Sequence, residues 1–241
     1  MKIKVCGLKD PGNINEVASL SPDYMGFICY DQSPRYVDEL SADVLHGLSA
    51  HKTGVFVDET FGNVVDKINE YDLDAVQLHG MEGTWMCDAL KNKKAIAITN
   101  VTIVTKGGRE LKKQREEATS VVKPDKAVTV IKAFGVDEFF DFNQLNAYAD
   151  VVDYFLFDTK TPKHGGSGTA FNWDVLQKYN LNVPFFLSGG LSLDNLAEVQ
   201  KIKHPMFYGV DLNSRFETAP GIKDIELLKK AFKLLRQPDI Q

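Results

Sequence analysis

A thiol, an imidazole and two carboxylates stand at the ends of short apolar runs in this chain. Lys2-Ile-Lys-Val-Cys6 ends on the thiol, just before Gly7, and Ala75-Val-Gln-Leu-His79 ends on the imidazole, just before Gly80. Tyr154-Phe-Leu-Phe-Asp158 and Met206-Phe-Tyr-Gly-Val-Asp211 end on the carboxylates. A thiolate can act as a base, and a carboxyl kept neutral by apolar neighbours can deliver a proton. Cys6 is therefore a candidate general base or an inert core residue. Asp158 is a candidate general acid, held neutral behind Phe155, Leu156 and Phe157, or a buried capping carboxylate. Acid and base at one rim make a stronger signal than either alone.

Two glycine pairs come late, Gly165-Gly166 and Gly189-Gly190. The second lies in Leu187-Ser-Gly-Gly-Leu-Ser192, between an apolar run and a helical pattern. Backbone amides freed by glycine at a helix start form an anion site without a lysine. Asp211-Leu-Asn213-Ser214 is placed to supply the other half of a phosphate cradle, although tight turns alone would also use these glycines. Arg35, in Ser33-Pro-Arg-Tyr36, offers a planar fork for a substrate carboxylate or is a surface arginine. His79 reads as a polar wall residue rather than a titrating group, and Cys29 and Cys87 as packing. No two Cys or His residues show ligand spacing, so no metal is expected.

These side chains need elements to hold them. Strand patterns fall at 2–7, 24–29, 53–58, 75–79, 128–134, 154–157, 184–187 and 206–211. Helical patterns alternate with them, around 15–20, at 42–50 after Ser41, after Thr60, and at 84–90 and 142–148. They continue at 173–179 after Asn172, at 193–201 after Ser192, and at 225–236. Strict alternation predicts an α/β fold of parallel strands joined by crossover helices. A doubly wound open sheet would place its glycine-rich turn after the first strand. Here such turns follow the sixth and seventh, which favours a single (β/α)8 TIM barrel over 1–241, its strand ends converging on one face. One segment, 95–126, breaks the rhythm and reads as an insertion before the fifth strand. Its charged part, 106–126, holds seven Lys/Arg and four Asp/Glu and predicts a solvated helix. Its first half is alternatively the fifth strand itself.

Composition sets the outer bounds. The chain has 241 residues, 44% hydrophobic and 25% charged, which suits a single soluble barrel. A net charge of −5 disfavours nucleic acid or an anionic membrane surface as partner. No apolar run approaches the roughly 20 residues that span a bilayer. A strand pattern from residue 2 leaves no room for a signal peptide, and three cysteines do not make a disulfide framework. A cytoplasmic protein is expected.

In order along nearly the whole chain, outside about 95–126, the motifs resemble the phosphoribosylanthranilate isomerase family of tryptophan biosynthesis. They are Lys4-Val-Cys-Gly-Leu8, Gly26-Phe-Ile-Cys-Tyr30 with Ser33-Pro-Arg-Tyr36, Gly54-Val-Phe-Val57 and Val76-Gln-Leu-His-Gly80. Further on come Phe157-Asp-Thr159, Gly165-Gly-Ser-Gly168 with Phe171-Asn-Trp173, and Leu187-Ser-Gly-Gly-Leu191. Gly209-Val-Asp211 with Ser214 and Glu217, then Pro220-Gly-Ile-Lys-Asp224, complete the set. The resemblance implies a cofactor-free barrel that catalyses an Amadori rearrangement of a phosphorylated small molecule, as a monomer or homodimer. It implies Cys6 as base, Asp158 as acid, Arg35 on the anthranilate carboxylate, and Gly189, Gly190, Asn213 and Ser214 on the phosphate. Asp211 and His79 would line the site. Thr169 stands where many relatives carry Lys, and Arg215 and Phe216 where small residues are common.

Two other enzyme classes share this fold. A synthase of the indole-glycerol-phosphate type would carry Lys and Glu at strand ends, and Lys132 is the only strand lysine in a plausible position. A metal-dependent epimerase needs His and Asp on several strands, and among the histidines only His79 qualifies. A scaffold protein would have no call on Cys6 and Asp158.

Overall fold

The structure is a computed structural model that describes residues 1–38, 40–104, 114–160 and 170–237. The apolar runs form strands because β-branched and aromatic side chains suit a pleated surface buried on both faces. In chain order these are β1 (Lys2–Cys6), β2 (Tyr24–Ile28), β3 (His51–Phe56), β4 (Ala75–Leu78), β5 (Ile96–Val104) and β6 (Gln114–Val122). After them come β7 (Thr129–Val136), β8 (Tyr154–Thr159), β9 (Phe185–Leu187) and β10 (Phe207–Leu212). All but β5 and β6 close into a barrel, in the order β1-β2-β3-β4-β7-β8-β9-β10 and back to β1. Every barrel pair is parallel, and the closing pair runs from Lys2↔Gly209 to Val5↔Leu212.

Side chains alternate across each strand, which decides what faces the lumen. On β8, Phe155 and Phe157 point outward and pack around Tyr179. Leu156 points inward, in a layer with Tyr24, Ala75, Ile131, Ala133 and Phe186. Tyr154 and Tyr208 pack against that layer near the strand starts. The lumen is thus filled below, and only its upper end, at the strand C-termini, is left for polar groups.

Helices start where the sequence provides caps. Asp10 accepts from the Asn13 amide at the start of α1 (Pro11–Ser19), and Thr60 from the Asn63 amide at the start of α2 (Phe61–Tyr71). Next are α3 (Thr84–Lys91), α4 (Leu196–Val199) and α5 (Ile225–Arg236), the last capped by Asp224 and buried along Leu228, Ala231, Phe232 and Leu235. Three expected helices are short 3-10 turns instead: Ala42–Leu45, Phe142–Tyr148 and Trp173–Lys178. The expected helix at 193–201 shrinks to α4. Asn195 bonds back to the Ser192 amide and the Gly190 carbonyl, holding 190–195 as a turn.

The charged part of 95–126 departs from its expected helix. β6 pairs antiparallel with β5 from Ile96↔Val122 to Val104↔Gln114, a two-stranded ribbon outside the barrel sheet. β5 is rich in β-branched residues, and β6 pairs with it in register over nine residues, so charge did not decide the structure. The barrel's fifth strand is β7, which pairs with β4 from Ala75↔Thr129. Among the described residues no helix is long and apolar enough to cross a membrane.

Candidate active site

The upper end of the barrel holds a cavity whose polar wall includes Cys6, Arg35, His79, Asp158, Asp211 and Asn213. Ile28, Val55 and Val57 give it an apolar side. A second cavity, lined by Gly189, Gly190, Asn213 and Ser214, shares Asp158 and Asp211 with the first. All nine predicted site residues therefore converge, although they span the chain from β1 to the loop after β10. The expected Gly165-Gly166-Ser167-Gly168 loop and Thr169 lie outside the described residues.

Cys6 ends β1 and is buried. Burial pushes its thiol above the ordinary range, Lys4 opposes that shift, Asp211 adds to it and Lys223 again opposes it. Lys4 stands two residues earlier on the same strand face, fully buried, with its Nζ 3.0 Å from Asp211 Oδ1. Burial works to lower the Lys4 pKa, but Asp211 and Cys6 outweigh it and hold the ammonium charged. Asp211 itself is pushed up by burial, against the pull of Lys4.

Asp158 is not buried behind its three neighbours. Phe155 and Phe157 face the opposite side of β8, and the Asp158 side chain keeps 25% of its surface exposed in the cavity. Oδ1 accepts from the Thr159 amide at 2.8 Å, and Oδ2 lies 3.4 Å from His79 Nε2. Gln77, buried on β4, places its amide nitrogen 2.8 Å from His79 Nδ1. His79 therefore lies between the Gln77 amide and the Asp158 carboxyl.

Arg35 is neither a surface residue nor a free fork. Its Nε and Nη2 donate to Glu217 Oε1 and Oε2 at 2.9 and 2.7 Å. Glu217 Oε1 also accepts from Lys223 Nζ at 2.6 Å, and the same ammonium donates to Asn213 Oδ1 at 2.8 Å. Gly7 makes this arrangement possible. Its φ is +79°, and a Cβ there would stand 2.7 Å from both Arg35 Cδ and Asn213 Oδ1. In the second cavity Gly189 and Gly190 also adopt left-handed backbone, φ +84° and +64°, and turn the chain just above β9.

Lys132, the expected strand lysine, does not serve the mouth. It is buried with its Nζ on the carbonyls of Leu78 and Gly80 and beside Glu82, bracing the loop after His79. The strand lysine that does face the site is Lys4. Sequence reasoning also missed Gln77, Glu217 and Lys223. Lys4 and Gln77 carry a usable signal, because each lies two residues before a site residue and so shares its strand face. Glu217 gains meaning through Arg35 and Lys223 through Cys6, both far away in the chain.

Fold and site together define a class: parallel (β/α)8 barrels whose polar side chains and glycine turns converge at the C-terminal ends of the strands. The family model for N-(5'-phosphoribosyl)anthranilate isomerase matches residues 3–124 and 108–234. The chain is 36% identical to the N-(5'-phosphoribosyl)anthranilate isomerase of Parabacteroides distasonis, covering 100% of this chain and 96% of that one. It is also 36% identical to that of Phocaeicola vulgatus, covering 98% of each. The crystal structure of phosphoribosyl anthranilate isomerase from Thermotoga maritima superposes with a TM-score of 0.74 at 26% identity, over 98% of both chains. The chain belongs to the N-(5'-phosphoribosyl)anthranilate isomerase family.

Proposed function

We infer that the chain catalyses the Amadori rearrangement of N-(5'-phosphoribosyl)anthranilate to 1-(2-carboxyphenylamino)-1-deoxyribulose 5-phosphate in tryptophan biosynthesis. One observation carries this reading. The Cys6 thiol and the Asp158 carboxyl line a single cavity that adjoins the loops at Gly189-Gly190 and Asn213-Ser214. The phosphate sits against those loops, where left-handed glycines let backbone approach an anion closely. The aryl ring rests on Ile28, Val55 and Val57, with its carboxylate toward Arg35.

Asp158 gives its proton to the furanose oxygen as the C1–O bond breaks, and the nitrogen lone pair forms a C=N bond. The carboxylate left behind is steadied by the Thr159 amide and by the His79 ring. The Schiff base makes the C2 proton acidic, and Cys6 removes it as thiolate. Lys4 and Lys223 supply positive charge beside that thiolate. The resulting enolamine takes a proton back from the Cys6 thiol at C1, and its C2 hydroxyl gives its proton to the Asp158 carboxylate, which leaves the ketone at C2 and both groups reset. Asp211, tied to Lys4, lines the floor.

The test is turnover in vitro. Purified protein is given phosphoribosylanthranilate, and the ketose product is followed by chromatography. A folded protein that forms no product overturns the reading.

A further inference from the structure

The guanidinium of Arg35 has two forks, one along Nε and Nη2 and one along Nη1 and Nη2. Glu217 occupies the first with both carboxylate oxygens. Glu217 is itself fixed. Its side chain is 4% exposed, and its Oε1 accepts from Lys223 Nζ at 2.6 Å and from the Gly221 amide at 3.2 Å. Burial alone would raise the Glu217 pKa, but Arg35 and Lys223 hold it below the usual range, so it stays ionised at neutral pH. Lys223 is in turn anchored on Asn213 Oδ1, beside the loop that borders the phosphate cavity. Nη1 takes no part in the pair, and Arg35 still lines the cavity.

We propose that Glu217 is a positioning residue that takes the Nε/Nη2 fork of Arg35 and aims the Nη1/Nη2 fork at the substrate's carboxylate, setting the preference for an ortho-carboxylated aryl amine. This rests on the reading of Arg35 given above. A long arginine side chain loses rotamer freedom on binding a ligand, and a buried clamp removes that cost beforehand. The opposite effect is competition, in which Glu217 neutralises Arg35 and must be displaced by the substrate. Its burial and its contacts to Lys223 and Gly221 argue against displacement.

The two effects have opposite signs in a binding experiment. The probes are the reduced aminodeoxyribulose phosphate product analogue and its counterpart with a carboxamide in place of the ortho-carboxyl. Calorimetry gives the ratio of their affinities in the unaltered enzyme and in Glu217→Gln. The ratio is expected to fall about tenfold in the variant, as one charge-assisted contact loses its geometry. A general loosening of the fold would weaken both probes alike and leave the ratio unmoved, which overturns the proposal. Tighter binding of the carboxyl probe to the variant also overturns it, in favour of competition. Glu217→Asp keeps the charge but pulls it back by one carbon. It is expected to lose the preference too, and it decides the matter if the Gln variant does not fold. Absence of any carboxyl preference in the unaltered enzyme would instead overturn the Arg35 reading, and this one with it.

Discussion

Gly7→Ala tests whether strand one and the site are packed as tightly as the geometry shows. At φ +79° an alanine costs about 1–2 kcal/mol in backbone strain alone. Its Cβ would also stand 2.7 Å from Arg35 Cδ and from Asn213 Oδ1, where apolar contact needs roughly 3.5–4 Å. Neither neighbour can simply swing away. The Arg35 guanidinium is fastened to Glu217, and Asn213 Oδ1 to Lys223. Overpacking of this kind costs about 1–3 kcal/mol, for a total of about 2–5 kcal/mol. For a chain of this length each kcal/mol lowers Tm by roughly 2–4 °C, so a fall on the order of 10 °C is expected. Typical domains are stable by about 5–15 kcal/mol, so the variant should still fold at 25 °C. Because the relief must come from Arg35 or Asn213, KM for phosphoribosylanthranilate should rise as well. The assay is calorimetric melting together with steady-state kinetics at 25 °C. An unchanged Tm with an unchanged KM would refute the close approach and the argument built on it.

Asp158→Asn keeps the side chain's shape but cannot deliver a proton, so kcat should drop by about 10²–10⁴-fold with KM nearly intact. A folded variant that retains most of its kcat would make Asp158 a structural carboxylate. Cys6→Ala should lower kcat by a similar factor, with the folded state checked by circular dichroism. Because burial raises the Cys6 thiol and the thiolate is the active form, kcat/KM should climb as pH rises through neutrality, toward a limb above the ordinary thiol value of about 8.5. A limb near pH 7 would point to another base. Arg35→Ala should act mainly on KM, since it removes the charged partner of the substrate carboxylate, and an unchanged KM would exclude that contact.

The strand pattern made the barrel legible, because eight buried parallel strands leave continuous apolar runs, several of them leading into a polar side chain of the cavity. Cys6, His79, Asp158 and Asp211 could be found for the same reason. The hairpin of β5 and β6 could not be read from charge, since lysine and glutamate are compatible with a two-stranded ribbon as well as with a helix. The short turn at Ala42–Leu45 ends at His46, whose backbone is extended, and the sequence marks this stop only by the Gly47 that follows. Counting chain neighbours predicts a buried Asp158, whereas strand alternation sends Phe155 and Phe157 to the other face. Lys4 is paired with a residue 207 positions away, and the Arg35–Glu217 clamp spans 182. Contacts of that separation leave no local trace in a single sequence.

The pairing of β1 with β10 has a consequence for how the molecule is made. Residues 2–5 wait as an unpaired edge until 209–212 have been synthesised, and closing a loop of that length carries the largest entropic penalty in the barrel. Cys6 stands on one side of this seam, and Asp211 and Asn213 on the other. The Lys4–Asp211 ion pair bridges it. An incomplete chain, or one whose seam has come apart, therefore holds Cys6 away from Asp211 and Asn213. Chemical competence arrives with the last strand, so product formation during refolding reports seam closure rather than the earlier appearance of helices.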